Sequence, residues 1–152
     1  MIINKIDNNY IIKLPSIKID IYNPESLEEI TKKIITKINK NYKLNNNIHL
    51  DFYLNNQYGT IIKLTDYKSH LTINNNKTVK INIHTNTPFL YQIDYFDIKK
   101  NKLKNENIYY YKNKFYLELK ENIEYKDYLK LIELSNIIYE ETYDIIDKAI
   151  KI

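Results

Sequence analysis

Apolar and polar residues alternate in several short segments of the first half of the chain. The clearest alternation has four apolar residues separated by single positions: Ile48, Leu50, Phe52 and Leu54. This period of two is typical of a half-buried strand. A turn at 55–59 contains the only glycine and leads to a partner strand at 60–65. The opening residues 2–14 have a similar pattern around a turn at 7–9, so the pattern predicts two antiparallel hairpins.

A helical pattern lies between these hairpins. Asn23 is a favourable N-cap residue, and Pro24 suits the first helical position. Apolar residues then recur at spacings of three and four: Leu27, Ile30, Ile34, Ile38 and Tyr42. We therefore expect one long helix that packs one apolar face against the sheet.

Shorter apolar segments are less regular and give further predictions. Residues 17–21 alternate like a strand, and 71–73 with 78–83 suggest a second, smaller hairpin across three asparagines. After Pro88, residues 89–98 are expected to be extended.

The last third of the chain combines a tyrosine-rich hairpin with a helical tail. Strands are predicted at 108–111 and 115–119, joined by a turn at 112–114. Apolar residues at helical spacing then predict helices over 125–137 and 143–150. The expected fold class is α+β, with antiparallel hairpins, one long packed helix and a helical C-terminus.

Pro88 marks the expected boundary between two halves of the chain. The first half, 1–87, is an α+β segment, and the second, 88–152, holds the hairpin and the helical tail. A chain of 152 residues fits one domain or two very small ones.

Composition shows strong bias, with 29 Ile, 23 Lys, 22 Asn and 16 Tyr among 152 residues and no arginine. These abundant residue types have A/T-rich codons, so we attribute the bias to an A/T-rich genome. With 43% hydrophobic residues and a net charge of +4, the chain is expected to fold. No apolar run reaches the ~18 residues of a membrane span, and the N-terminus lacks a signal-peptide layout. We expect a cytoplasmic protein that does not bind a membrane.

The residue types that most enzymes need are scarce. There is no cysteine and only one glycine, which excludes thiolate chemistry and Gly-rich phosphate loops. His49, His70 and His84 fit no short metal-binding motif, and none of the four serines lies in a nucleophile elbow. We expect no enzymatic activity, no catalytic residue, no metal and no cofactor.

The tyrosine-rich hairpin is the strongest candidate for a binding site. Its candidate binding residues are Tyr109, Tyr110, Tyr111, Lys112, Lys114, Phe115 and Tyr116. These aromatic side chains are suited to cross-strand pairing in the core, to a protein interface, or to stacking on single-stranded nucleic acid beside phosphate-binding lysines. Six lysines in 98–114 precede eight acidic residues in 121–147.

The absence of catalytic motifs, together with this hairpin and uneven charge, favours a protein-binding adaptor or a small regulator or inhibitor of another protein. The alternative is a protein that binds single-stranded nucleic acid through the tyrosines and six lysines: Lys99, Lys100, Lys102, Lys104, Lys112 and Lys114. The oligomeric state stays open.

The hairpin at 108–119 resembles the one in the C-terminal domain of MecA-type adaptors. The first half is similar in layout too, with a short strand pair, a helix from Glu25 and a hairpin from Ile48 to Thr65. The resemblance implies an adaptor whose N-terminal domain holds a client protein and whose C-terminal domain docks on the ClpC unfoldase. It implies no catalytic residue and no cofactor, and it points to contact residues at Tyr110, Tyr111, Phe115 and Tyr116.

Overall fold

The computed structural model of the protein describes residues 1–14, 19–20, 22–45, 47–55, 58–67, 78–101, 106–119 and 123–152. They form two compact units, Met1–Asn86 and Thr87–Ile152, each with its own five-stranded sheet. The fold is α+β and its strands are mostly antiparallel, so the predicted fold class is confirmed. Across these ranges, no helix has the length and apolar character needed to cross a membrane.

The sheet of the first unit contains both hairpins predicted from the alternation. Its strands are β1 (Ile2–Ile6), β2 (Asn9–Leu14), β3 (Asn47–Asn55), β4 (Gly59–Tyr67) and β5 (Thr78–His84). Their order is β1-β2-β4-β3-β5, in which β5 pairs with β3 in parallel and the other neighbours are antiparallel. Gly59 adopts a φ of 91° at the second turn, a value that glycine reaches without steric cost.

Two predicted segments of this unit fall largely outside the described residues. One is the strand at 17–21, of which only positions 19 and 20 are described, and neither is assigned to a strand. The other is the strand at 71–73, the expected hairpin partner of β5.

Helix α1 (Pro24–Asn39) begins where the sequence predicts. The Asn23 side chain accepts a hydrogen bond from the Glu25 backbone N–H at 3.1 Å, which satisfies one of the free donors at the helix N-terminus. Ile34 and Ile38 are buried against the sheet. Their core neighbours come from the central strands: Ile12, Leu14, Ile48, Leu50, Phe52, Ile62 and Leu64.

The second unit is an antiparallel sheet with three short helices. Its strands are β6 (Leu90–Gln92), β7 (Glu106–Tyr111), β8 (Lys114–Leu119), β9 (Asn136–Ile138) and β10 (Ile150–Lys151). Their order is β10-β7-β8-β6-β9. The helices are α2 (Tyr95–Asn101), α3 (Tyr125–Leu134) and α4 (Thr142–Lys148). The predicted tyrosine-rich hairpin is confirmed as β7 and β8.

Helix α2 replaces much of the extended segment expected at 89–98. The Asp94 carbonyl accepts hydrogen bonds from the backbone N–H groups of Asp97 and Ile98, which start the helix. Asp97 in the first turn and basic residues in the last turn match the helix dipole, and Ile98 is buried. Lys99 and Lys100 of the predicted basic loop therefore lie in this helix, whereas positions 102 and 104 are outside the described residues.

The helical tail is interrupted by two short strands. β9 pairs with β6, and β10 pairs with β7, where Ile150 lies opposite Tyr110. The predicted helices therefore end earlier than expected, at Leu134 and Lys148. Because β-branched isoleucines favour strands when a neighbouring strand is available, pairing prevails over the helical spacing at these positions.

Candidate binding surface on the tyrosine-rich hairpin

The hairpin turn has an uncommon backbone for its residues. Lys112 and Asn113 adopt positive φ values of 48° and 61°, the sign that a two-residue type I′ turn requires at both central positions. The Tyr110 hydroxyl donates a hydrogen bond of 2.9 Å to Asn113 Oδ1. This bond holds the Tyr110 side chain to the turn, and Lys112 and Lys114 are exposed.

Strand pairing separates the tyrosines between two faces of the sheet. Tyr109 lies opposite Tyr116, and Tyr110 lies opposite Phe115. Directly opposed residues share a face, and neighbours along a strand point to opposite faces. The hairpin therefore has a Tyr109 face, which includes Tyr116, and a Tyr110 face, which includes Phe115.

The Tyr109 face belongs to the core. Tyr109 and Tyr116 are 6% and 7% exposed and pack with Leu90 under Ile145 and Ile146 of α4. The Tyr109 hydroxyl donates a hydrogen bond of 2.8 Å to Glu118 Oε2. Burial, with this bond to the carboxylate, raises the pKa of Tyr109 to about 12. Two candidate binding residues, Tyr109 and Tyr116, thus act as core residues, which removes them from the set of partner contacts.

The Tyr110 face is open at the turn end of the hairpin. Helix α3 covers its other end, where the Tyr128 ring meets the edge of buried Tyr91. At the turn end the rings of Tyr110 and Phe115 are 4.9 Å apart, and Tyr95 of α2 lies 5.1 Å beyond Phe115. We call Tyr95, Phe115 and Tyr110 the aromatic row.

The aromatic row is partly exposed and is extended by an aliphatic side chain. Tyr95 is 47% exposed, while Phe115 and Tyr110 are half-buried. Ile150 of β10 lies opposite Tyr110 on the same face and is 67% exposed. The Ile93 backbone N–H donates to the Phe115 carbonyl at 3.1 Å, which ties the approach to α2 to strand β8. The result is an apolar surface supported by paired strands.

One lysine lies over a ring of the row, and the two lysines of the turn lie on the opposite face. The Lys99 ammonium lies 4.8 Å from the centroid of the Tyr95 ring, and Lys112 lies 5.1 Å from that of Tyr111. Tyr111 packs against the Tyr109 core, and Lys114, its register partner, is on the same face. Of the seven predicted binding residues, the structure therefore brings only Tyr110 and Phe115 together on the open surface.

Two members of this surface were missed by sequence reasoning. Tyr95 lies in a segment expected to be extended, and Ile150 lies in one expected to be helical. The acidic residues Asp94 and Asp97 followed by Lys99 are a signal that could have revealed α2. Ile150 has no comparable local signal, because its position depends on pairing with β7.

The histidines take part in cross-strand contacts in the first unit. Nε2 of His84 lies 3.2 Å from Asp51 Oδ1, and the His84 ring stacks on Tyr53 at 4.5 Å. The His49 ring packs against Tyr67 at 4.4 Å, and His70 is outside the described residues. Within the described ranges, no group of three or more His, Cys, Asp or Glu side chains could hold a metal ion.

We compared the chain with known protein families, curated proteins and solved structures. No family model, no curated protein and no solved structure matches the chain.

Proposed function

We propose that the chain is a non-enzymatic protein-binding module, an adaptor or a small regulator, that docks through the aromatic row and Ile150. The observation that supports this proposal is the open turn end of the Tyr110 face, where three aromatic rings and an exposed isoleucine adjoin. Aromatic side chains are enriched in protein interfaces because they offer large contact areas for few rotatable bonds.

The geometry of the rings favours a protein partner over a nucleic acid. Stacking of a base requires a free ring face. The rings of Phe115 and Tyr110 are tilted by 46° to each other, and those of Tyr95 and Phe115 by 32°. Lys99 already lies over the Tyr95 ring. Apolar side chains of a protein can pack against the exposed edges of tilted rings, which does not need a free ring face.

The surface suits a partner segment with apolar anchors and nearby carboxylates. The anchors would contact the row and Ile150, and the carboxylates would meet Lys99 beside Tyr95. Because the hairpin at 108–119 resembles that of MecA-type adaptors, a Clp-type unfoldase is the first partner to test. The proposal takes the chain to act in the cytoplasm, as the sequence leads us to expect.

The test compares three forms of the tagged full-length chain. In the first variant Tyr95→Ser and Tyr110→Ser are combined, which removes two rings of the row. In the control, Tyr125→Ser removes an exposed tyrosine of α3 in the same unit. We expect a protein that the wild type and Tyr125→Ser recover equally from lysate and that the double variant loses. The purified partner, or a purified Clp-type unfoldase, should then bind with affinity at least roughly tenfold weaker for the double variant.

Equal recovery by all three folded proteins would contradict the proposal. Circular dichroism establishes that the double variant keeps its fold. Binding to a short single strand is measured in parallel. If log K for the wild type falls steeply with log salt and the double variant loses that binding, the surface is a nucleic-acid site instead.

A further inference from the structure

Strand β5, at one edge of the first sheet, is exposed along its whole length. Each of its seven residues is exposed, and in the described part of the chain no strand pairs with its outer edge. Val79, Ile81 and Ile83 pair with buried Ile48, Leu50 and Phe52 of β3, so they lie on the core-facing side of the sheet. They nevertheless remain 37%, 36% and 36% exposed. Open edges of this kind readily pair with another strand.

The opposite edge of the same sheet is protected. Lys5 of β1 lies opposite core residue Tyr10, so it shares the core-facing side. Its ammonium group is 4.4 Å from the centroid of the Tyr42 ring. A lysine that points inward at an edge discourages strand addition. Strand β5 has no charge on that side, since its one lysine, Lys80, lies on the other.

The sequence of β5 is complementary to itself when two copies run antiparallel. With Ile81 on a two-fold axis, Val79 lies opposite Ile83 of the second copy, and Ile81 lies opposite its own equivalent. Directly opposed residues share a face, so the two apolar stripes become one. Lys80 then lies opposite Asn82 and not opposite another lysine. Shifting the axis to Lys80 would place two ammonium groups opposite each other.

Charge on the polar side supports the same register. Asn82 donates a hydrogen bond of 3.3 Å to Asp51 Oδ1 on the neighbouring strand. The Lys80 of a second copy, opposite Asn82, would therefore extend toward the Asp51 carboxylate.

We propose that the chain forms a two-fold symmetric dimer in which β5 pairs antiparallel with β5 of a second copy, centred on Ile81. The two five-stranded sheets then become one ten-stranded sheet with both α1 helices on the same side, as the shared face of opposed residues requires. This interface belongs to the first unit, so it is independent of the surface proposed for partner binding.

A charge exchange at the axis tests the pairing. Ile81→Lys and Ile81→Glu each place like charges directly opposite each other. We expect dimerisation of either variant alone to be at least roughly tenfold weaker than that of the wild type. Mixing the two variants should restore a dimer that contains one copy of each, because Lys then faces Glu. Sedimentation measures the masses, and Thr78→Lys, which faces His84, is the control that should still dimerise.

Single cysteines provide a second measurement in a chain that has none of its own. Ile81→Cys should form a disulfide-linked dimer under mild oxidation, because the two Cβ atoms meet at the axis. Val79→Cys is equally exposed but should not form this disulfide alone, because the two copies of position 79 are separated along the strands. When it is mixed with Ile83→Cys, the two variants should cross-link. A wild type that stays monomeric up to about 1 mM would overturn the proposal. The register would be overturned if the two charge variants did not form a dimer when mixed. It would also be overturned if Val79→Cys and Ile81→Cys cross-linked equally.

Discussion

Tyr109 and Tyr110 are adjacent and chemically identical, yet their surroundings differ completely. The Tyr109 hydroxyl donates to Glu118 inside the core, whereas that of Tyr110 donates to Asn113 at the exposed turn. The alternation of a strand predicts that the two rings point to opposite faces. It cannot predict which face becomes the core, because that is decided by α4, which packs its isoleucines on Tyr109 from more than thirty positions away. The hairpin could thus be predicted from the sequence, but not which of its two faces is buried.

Burial of Tyr109 leads to a prediction for alkaline pH. Its pKa is raised to about 12 from the ordinary tyrosine value of about 10, so the folded state holds the proton more tightly than the unfolded chain. Its contribution to stability is complete below pH ~10 and is lost as pH rises through about 12. We expect Tyr109→Phe to lower the unfolding free energy by about 1 kcal/mol at neutral pH, because the hydrogen bond is lost. Above pH ~10 the unfolding free energy of the variant should fall less steeply with pH than that of the wild type. Urea unfolding from pH 7 to 11 measures both effects.

The matched control for this prediction is Tyr125→Phe. Tyr125 is 74% exposed on α3, so its hydroxyl contributes little to folding. Its unfolding curves should overlay those of the wild type at every pH. Tyr139, whose pKa burial also raises to about 12, remains in both variants and preserves part of the alkaline slope. If the unfolding free energy of Tyr109→Phe falls with pH as steeply as that of the wild type, Tyr109 has the same pKa in the folded and unfolded states.

At the level of elements, length decided what the sequence could predict. Helix α1 spans 16 residues and the strands of the predicted hairpins five to nine, long enough for their period to stand out. Helix α2 has seven residues, barely two turns, and β9 and β10 have three and two. In segments this short, the helical spacing of apolar residues cannot be distinguished from the alternation of a strand. Their conformation is set by neighbouring strands and helices, which a local pattern does not contain.

The N-cap of α1 allows the predicted helix start to be tested. Asn23→Ala removes the side-chain acceptor that bonds the Glu25 N–H. We expect the unfolding free energy to fall by about 1 kcal/mol, with no change in the dependence on denaturant concentration. Asn23→Ser keeps an acceptor at this position and is the control. The exposed pairs Glu28–Lys32 and Glu29–Lys33 on the same helix should matter less, because solvent screens the attraction between exposed charges. An alanine variant as stable as the serine variant would contradict the role of the cap.

For the whole molecule, the parallel pairing of β5 with β3 was not predicted from the sequence. Strand β5 pairs in parallel with β3, more than twenty residues before it, and its expected hairpin partner at 71–73 lies outside the described residues. Two parallel strands need a long connecting segment between them, and the residues of a strand do not indicate where that segment leads. Among the described strands β5 is therefore at an edge of the sheet, where it offers the surface proposed for dimerisation. The cluster around α1 lies within Met1–Asn86, and the cluster around Tyr109 lies within Thr87–Ile152.

This separation of cores predicts that the units fold independently. A fragment of residues 1–86 contains all the residues that pack around α1, and a fragment of 87–152 contains the sheet under α4. We expect the first to unfold cooperatively and to give dispersed amide resonances that overlay those of the full chain. The second should do the same but with lower stability, because about 66 residues bury a smaller share of their surface. Only the first fragment carries β5, so it alone should dimerise, while the second alone should bind a partner through the aromatic row. Collapsed, undispersed spectra from either fragment would show that its fold depends on the other unit.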